Sequence, residues 1–246
     1  SSAGTTDGTG LVFAMPGDTL TDIHASINTG SSNKALTNVG TVATTTAESR
    51  FYGSCLDMTG VNAQYLHTTD SSSDFTFGNG SFTIECWFKY TVKDTSSPGL
   101  FQLSSAGAGS SNYAGGIYVM LSSNNNNVYV NVSDDQTGYT PTNSLKSEGG
   151  TWNHFALVGE GGNKVRVYLN GVLSLEKSGD YVVNNATYLT LGKYYNNDNY
   201  NFGGYINDFR VYKGVAKYDA NFITPTRNDW TVHNLTPAGG TSGHAG

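Results

Sequence analysis

The sequence predicts an all-β protein built as a sandwich of two antiparallel sheets. Three observations carry that prediction. Helical periodicity is almost absent, while runs that alternate apolar and polar residues recur between clusters of Gly, Asn and Ser. One pair of runs is joined by Asn170-Gly171, a dipeptide that supplies both positive-φ residues of a tight hairpin turn. About twelve such runs fill the chain, too many for a small sandwich and suited to two packed sheets of about six strands each.

The runs follow in order. "GLVFAM" (10–15) opens the series, and residues 16–50 read as a long irregular excursion with a few short strands. "GSCLDM" (53–58), "AQYLHT" (63–68) and "SFTIECWFKY" (81–90) come next. "GLFQLS" (99–104), "GIYVML" (116–121) and "NVYVNV" (127–132) form the middle, with "SSNNNN" (122–127) as a hairpin loop. "WNHFALVG" (152–159), "KVRVYL" (164–169) and "VLSLEK" (172–177) make a three-strand meander through the turns "GEGGN" and Asn170-Gly171. In its middle strand Val165, Val167 and Leu169 point one way and Lys164, Arg166 and Tyr168 the other. "YLTLGK" (188–193) and "GYINDFRVY" (204–212) close the series. Residues 1–9 read as an N-terminal extension, 10–226 as one domain, and 227–246 as a tail or linker that has lost periodicity.

Composition narrows the function. Charged residues are 13% of the chain, about half the usual ~25% share. Asn, Ser, Thr and Tyr are abundant, so the surface is polar but weakly charged and suits the reading of neutral ligands. The net charge of −6 provides no basic footprint for phosphates, which excludes a nucleic-acid binder. No run of apolar residues is long enough to span a bilayer, so membrane insertion is not expected. The first ten residues have neither a basic nor an apolar leader segment, as in a mature, clipped or non-Sec-exported chain. Cys55 and Cys86 sit in strand-like runs and read as two buried apolar thiols, with one disulfide as the alternative.

Three segments, in order, carry a family resemblance. "SRFYGSCLDMTGVNAQYLHTTDSSSDFTFGNGSFTIECWFKY" (49–90) resembles the first half of a laminin-G-like domain. "GTWNHFALVGEGGNKVRVYLNGVLSLEKSG" (150–179) and "LTLGKYYNNDNYNFGGYINDFRVYKGVAKYDANF" (189–222) resemble its second half. The resemblance, to the concanavalin A-like lectin/glucanase superfamily, implies a jelly roll of two curved sheets, the larger with a concave face. Ligands in the superfamily bind on that concavity or in the rim loops. The ending "GYINDFRVYKGVAKY" is similar to versions on bacteriophage structural proteins, often tail fibres. The fold hosts lectins, adhesins, structural modules and hydrolases, so it does not by itself select a function.

Hydrolysis of a glycoside needs two carboxylates flanking the scissile bond. On this fold the resemblance implies one strand carrying an E-x-D-x-x-E pattern. Glu48, Glu85, Glu148, Glu160 and Glu176 each fail to begin it, and adjacent Asp134 and Asp135 would point to opposite faces of a strand. No G-x-S-x-G elbow is present, and the five His residues show no metal-ligand spacing. The chain therefore reads as a non-enzyme, with a polysaccharide hydrolase as the least favoured alternative.

Two binding features remain. In "GYINDFRVY", strict alternation puts Phe209 and Val211 on the core side together with Tyr205 and Asn207, and turns Ile206, Asp208, Arg210 and Tyr212 outward. Asp208 is then similar to the late-strand Asp that holds a structural calcium in related glucanases, with carbonyls from near Phe13 and Gly53 completing the ligand set. The alternative is a surface Asp paired with Arg210 or a Lys. The second feature is the loop 194–202. It places Tyr194, Tyr195, Tyr200 and Phe202 among Asn196, Asn197, Asp198, Asn199 and Asn201. Aromatic rings stack on the C–H faces of sugars, and amides and carboxylates bond the hydroxyls. Tyr194, Tyr195, Asn197, Asp198, Asn199 and Tyr200 are the candidate carbohydrate-binding residues, against the plain alternative that Asn and Gly are turn formers. The loops 110–116 and 133–139 are lesser candidates.

The expected function is a carbohydrate-binding or adhesion module of a phage particle or bacterial surface protein, with a cell-surface glycan as partner. A structural virion module, contacting other virion subunits, is the alternative. The expected location is a virion, the cell surface or the extracellular space.

Overall fold

A computed structural model describes residues 9–28, 30–60, 63–91, 97–108, 115–121, 127–133 and 150–224. Residues 122–126 of the expected hairpin loop, the tail 227–246 and most of the lesser candidate loops, including Tyr113 and Tyr139, lie outside the described residues.

The strands form two antiparallel sheets, as expected. The eight-stranded sheet holds β1 (Leu11–Met15), β3 (Ala43–Thr45), β4 (Cys55–Met58), β6 (Phe82–Tyr90), β10 (Asn153–Glu160), β11 (Lys164–Leu169), β12 (Val172–Ser178) and β14 (Gly204–Lys213). Its order is β12-β11-β10-β6-β14-β4-β3, with β1 beside β14 as well. The six-stranded sheet holds β2 (Leu36–Val39), β5 (Tyr65–Thr68), β7 (Gly99–Ser104), β8 (Ile117–Leu121), β9 (Val128–Val132) and β13 (Tyr188–Leu191), in the order β2-β5-β13-β7-β8-β9. β2 and β3 are the short strands of the 16–50 excursion. Consecutive strands β13 and β14 lie in different sheets, so the loop 192–203 carries the chain between them.

The core lies between the sheets and is built from one face of each. Phe101 of β7 packs edge-on against Phe155 of β10 and Phe209 of β14, with ring centroids 6.1 and 5.3 Å apart. Ile84, Cys86 and Phe88 alternate inward along β6, and Ile117, Val119 and Leu121 along β8. Both cysteines are free and buried, as their apolar settings led us to expect. Burial pushes the Cys86 thiol well above its usual range and the Cys55 thiol to about 12, which leaves both inert at neutral pH. The meander is also as expected, with Asn170 at φ 53° and Gly171 at φ 79° in its turn.

β14 departs from strict alternation. Its register against β6 jumps from Asn207↔Trp87 to Arg210↔Glu85, so Asp208 and Phe209 together oppose one residue. This is a β-bulge, with Asp208 at φ 56°. The extra residue changes which side chains face inward. Ile206 joins Phe209 and Val211 in the core, where alternation had put Asn207 and Tyr205. The bulge lies where the outer neighbour of β14 changes from β4 to β1.

A strap, residues 214–222, covers the outer face of the eight-stranded sheet. Thr83 Oγ1 donates to the Val215 carbonyl and accepts from Lys217 N, and Asn221 Oδ1 accepts from Leu173 N. Phe222 N donates to the Gly171 carbonyl, where a Cβ on Gly171 would stand 2.1 Å from the Phe222 carbonyl oxygen. Under the strap, Glu85 accepts from Lys217 Nζ and from the Tyr218 hydroxyl at 2.7 Å, and His154 Nε2 lies 3.6 Å away. This cluster is buried.

Candidate functional site

The loop after β13 does not project freely. It folds back onto the outer face of the six-stranded sheet. Its base is closed by a bridge between Lys193 and Asn201, and Asn201 also bridges Gly99 at the start of β7. Gly99 permits that approach, since a Cβ there would stand 2.2 Å from Tyr194 N. Within the loop, Asp198–Tyr200 forms one 3-10 turn. Asn197 caps it, its side-chain oxygen accepting from Asn199 N at 3.0 Å, and Asn201 Nδ2 donates to the Asp198 carbonyl. Tyr195 is held at φ 63°, with its N–H donating to Gln102 Oε1 at 3.1 Å. A bulky residue at positive φ costs of order 1 kcal/mol or more and persists where its surroundings fix it.

The register of the six-stranded sheet sets what the loop meets. His67, Thr190, Gln102, Tyr118 and Asn131 stand side by side across five strands on the face opposite the core. Tyr65 and Tyr129 lie on the same face. Tyr194 stacks on Tyr118, with centroids 5.2 Å apart and planes 20° apart. Tyr118 stacks in turn with Tyr129 at 6.1 Å. At the other end Tyr194 meets Tyr200 at 4.9 Å, and Tyr200 meets Tyr195 edge-on at 5.8 Å. The result is a continuous row of tyrosines from β9 through β8 to the loop. Tyr194 is buried within it, while Tyr118, Tyr129, Tyr195 and Tyr200 keep part of their surface in solvent.

Lys193 is buried beneath the row. Its ammonium lies 4.4 Å from the Tyr65 ring centroid and 2.7 Å from Asp198 Oδ1. Asp198 itself is 70% exposed. Among the described residues no other partner is found for this carboxylate, and Oδ2 faces water.

The structure thus brings Tyr194, Tyr195, Asp198 and Tyr200 together. Asn199 stands exposed at the loop tip. Asn197 spends its side-chain oxygen on the cap. Sequence reasoning missed Tyr65, Gln102, Tyr118, Tyr129 and Lys193. Alternation in "GIYVML" and "NVYVNV" carried the signal for two of them, since their valines claim the core and leave Tyr118 and Tyr129 outside. The loop sits on the smaller sheet, whereas the resemblance pointed to the concavity of the larger sheet or to the loops at its rim.

Asp208, expected on an outward face as a calcium ligand, is buried. Arg210 takes both its oxygens, Nε donating to Oδ1 at 2.8 Å and Nη2 to Oδ2, and the Tyr52 hydroxyl donates to Oδ1 at 3.2 Å. A guanidinium already fills the ion's place. The neighbouring carbonyls are also taken: Asn207 Nδ2 donates to the Pro16 and Ser54 oxygens, while its Oδ1 accepts from Arg50 N and Phe51 N. Among the described residues no three His, Cys, Asp or Glu side chains cluster as metal ligands. These residues do not fit calcium. An amide joins the N-terminal segment, the 50–54 turn and β14 instead.

The comparisons with known proteins agree with the fold. The profile of Laminin_G_3, described as the Concanavalin A-like lectin/glucanases superfamily, matches residues 60–218. Among solved structures, domain 4 of AbnA, a GH43 extracellular arabinanase from Geobacillus stearothermophilus in complex with arabinotriose, is similar at TM-score 0.56 and 17% identity. That match covers 83% of this chain and 92% of the other. The binding domain of botulinum neurotoxin DC in complex with rat synaptotagmin II gives TM-score 0.62 at 14% identity, covering 87% of this chain and 50% of the other. The binding domain of Paraclostridial Mosquitocidal Protein 1 gives 0.63 at 15%, covering 83% and 49%. The chain therefore spans about half the length of these toxin domains. No curated protein sequence matches it. Among the described residues no helix is long and apolar enough to cross a membrane.

Proposed function

Because the chain belongs to the concanavalin A-like lectin/glucanases superfamily, we propose that it is a non-catalytic carbohydrate-binding module and that its ligand lies on the outer face of the six-stranded sheet. The observation that carries this reading is the tyrosine row from Tyr129 to Tyr200, flanked by the solvent-facing carboxylate of Asp198. Rings supply flat apolar area at low entropy cost, and the Asp198 carboxylate and the exposed Asn199 amide supply hydrogen bonds to hydroxyls. The AbnA domain bound to arabinotriose and the botulinum neurotoxin DC binding domain in complex with SialylT lend support from the same fold. Binding rather than hydrolysis is favoured because the strands of this sheet carry no Asp or Glu and the loop lying on them brings one, Asp198, whereas hydrolysis needs a pair.

A surface setting fits this reading. A module that reads cell-surface glycans belongs on a virion, a bacterial surface protein or a secreted chain, and the polar, weakly charged composition suits all three. A glycan array probed with the wild-type chain and with Tyr195→Ala and Tyr200→Ala tests the site. The substitutions are expected to weaken binding about tenfold each while lowering the melting temperature by only a few degrees. Unaltered affinity in both would place the ligand elsewhere.

A further inference from the structure

Charge is divided unequally between the two sheets. The strands of the eight-stranded sheet carry eleven Asp, Glu, Lys and Arg residues. The strands of the six-stranded sheet carry none. The loop that lies on this uncharged face brings one cation and one anion, and their exposure differs sharply. Lys193 is 2% exposed and covered by the Tyr65 ring and Asp198, whereas Asp198 is 70% exposed. A ligand on the tyrosine row therefore meets no cation among the described residues, and meets one carboxylate with a free oxygen.

Resting on the reading of this face as a glycan site, we propose that it selects neutral oligosaccharides and rejects acidic ones, with Asp198 as the residue that discriminates. A hydroxyl donates to Asp198 Oδ2. A uronate or sialate at the same place brings a second negative charge with no donor to offer. The Lys193 ammonium cannot compensate, because its charge is already engaged and it has no open approach from solvent. Repulsion between two unit charges a few ångströms apart at a wet surface amounts to about fivefold to tenfold in affinity. It shrinks as salt rises. The row spans several rings, which suits a run of sugar units more than a single terminal one.

The test is titration calorimetry on the whole chain. The probes are maltohexaose, cellohexaose and arabinohexaose on one side, and hexagalacturonate, hexaguluronate and 3′-sialyllactose on the other, each at low and high salt. The expected result is binding of a neutral probe, with every acidic probe weaker by at least about fivefold at low salt and the gap narrowing at high salt. Asp198→Asn is expected to close or reverse the gap, since it removes the repulsion and leaves Lys193 unpaired. Asn199→Asp, at an exposed neighbouring position, is expected to widen it, and serves if Asp198→Asn disturbs the loop. An acidic probe that binds as tightly as the neutral ones, or a ratio unmoved by both variants, would overturn the selection while leaving the site standing. Binding of no probe, or binding indifferent to Tyr195→Ala and Tyr200→Ala, would overturn the site itself.

Discussion

The ring of Tyr194, in a loop, lies nearly parallel to the ring of Tyr118, in the middle of β8, at 5.2 Å. The contact fixes a connection between sheets onto the outer face of one of them. Tyr194 is thereby a buried support, and Tyr118 becomes part of a surface that the loop would otherwise leave bare.

Tyr118→Ala removes that support. Aromatic pairs contribute about 0.5–1.5 kcal/mol beyond area burial, so the variant is expected to lose about 1 kcal/mol of stability and to bind glycan more weakly than its stability loss explains. Tyr118→Phe is expected to retain both. Urea denaturation and titration of the two variants together check the pair.

The Glu85 cluster under the strap predicts a stability profile with two limbs. Burial alone would raise the Glu85 carboxyl, but Lys217, His154 and Arg210 together hold it well below the usual range. Its contribution is complete above the unfolded value of ~4.3 and is lost as pH falls through the lower folded value. Burial alone would lower Lys217, but Glu85 first and then Tyr212 and Tyr218 raise it well above its usual value. Its contribution is complete below ~10.4 and is lost as pH rises through the folded value. Glu85→Gln is expected to cost about 3–5 kcal/mol at neutral pH and to flatten both limbs. Urea denaturation from acid to alkaline pH measures this directly.

Asn207 predicts a large effect from a small neutral side chain. Its amide satisfies four backbone groups from two segments, and it is fully buried. Asn207→Ala strands them, at about 1–3 kcal/mol for each group left unpaired. A loss of at least about 3 kcal/mol is expected, and hydrogen exchange should speed up first at Arg50 and Phe51. A loss below 1 kcal/mol would show that water replaces the amide.

Calcium is expected to leave the melting temperature unchanged, because Arg210 and Tyr52 hold the Asp208 carboxylate. A bound ion would stabilise the fold by linkage. An upward shift at millimolar calcium, reversed by chelator, would mean that Arg210 is displaced.

Much of the fold was legible because alternation is a local signal. "GIYVML" and "KVRVYL" state their inward faces without outside help, and Asn170-Gly171 states its turn. The bulge at Asp208 was not legible, since no Gly or Pro marks it and it coincides with a change of neighbour from β4 to β1 that only the tertiary structure shows. The strap was not legible either. Lys217 and Tyr218 look like an ordinary polar end until Glu85, far away in sequence, is placed beneath them. The candidate loop was legible by residue type, but the face it rests on needed the register of five strands. Lys193 reads in sequence as a free basic residue, and only packing shows it to be covered.

The bulge in β14 makes the length of that strand as informative as its lettering. Deleting Asp208 would bring the pleat back into strict alternation, and Ile206, Phe209 and Val211 would still share the inner face. The domain would lose instead the carboxylate that holds Arg210 and the Tyr52 hydroxyl. Shortening the strand at the bulge therefore keeps inside and outside as they are, whereas a one-residue change within 210–213 exchanges the two faces on one side of it.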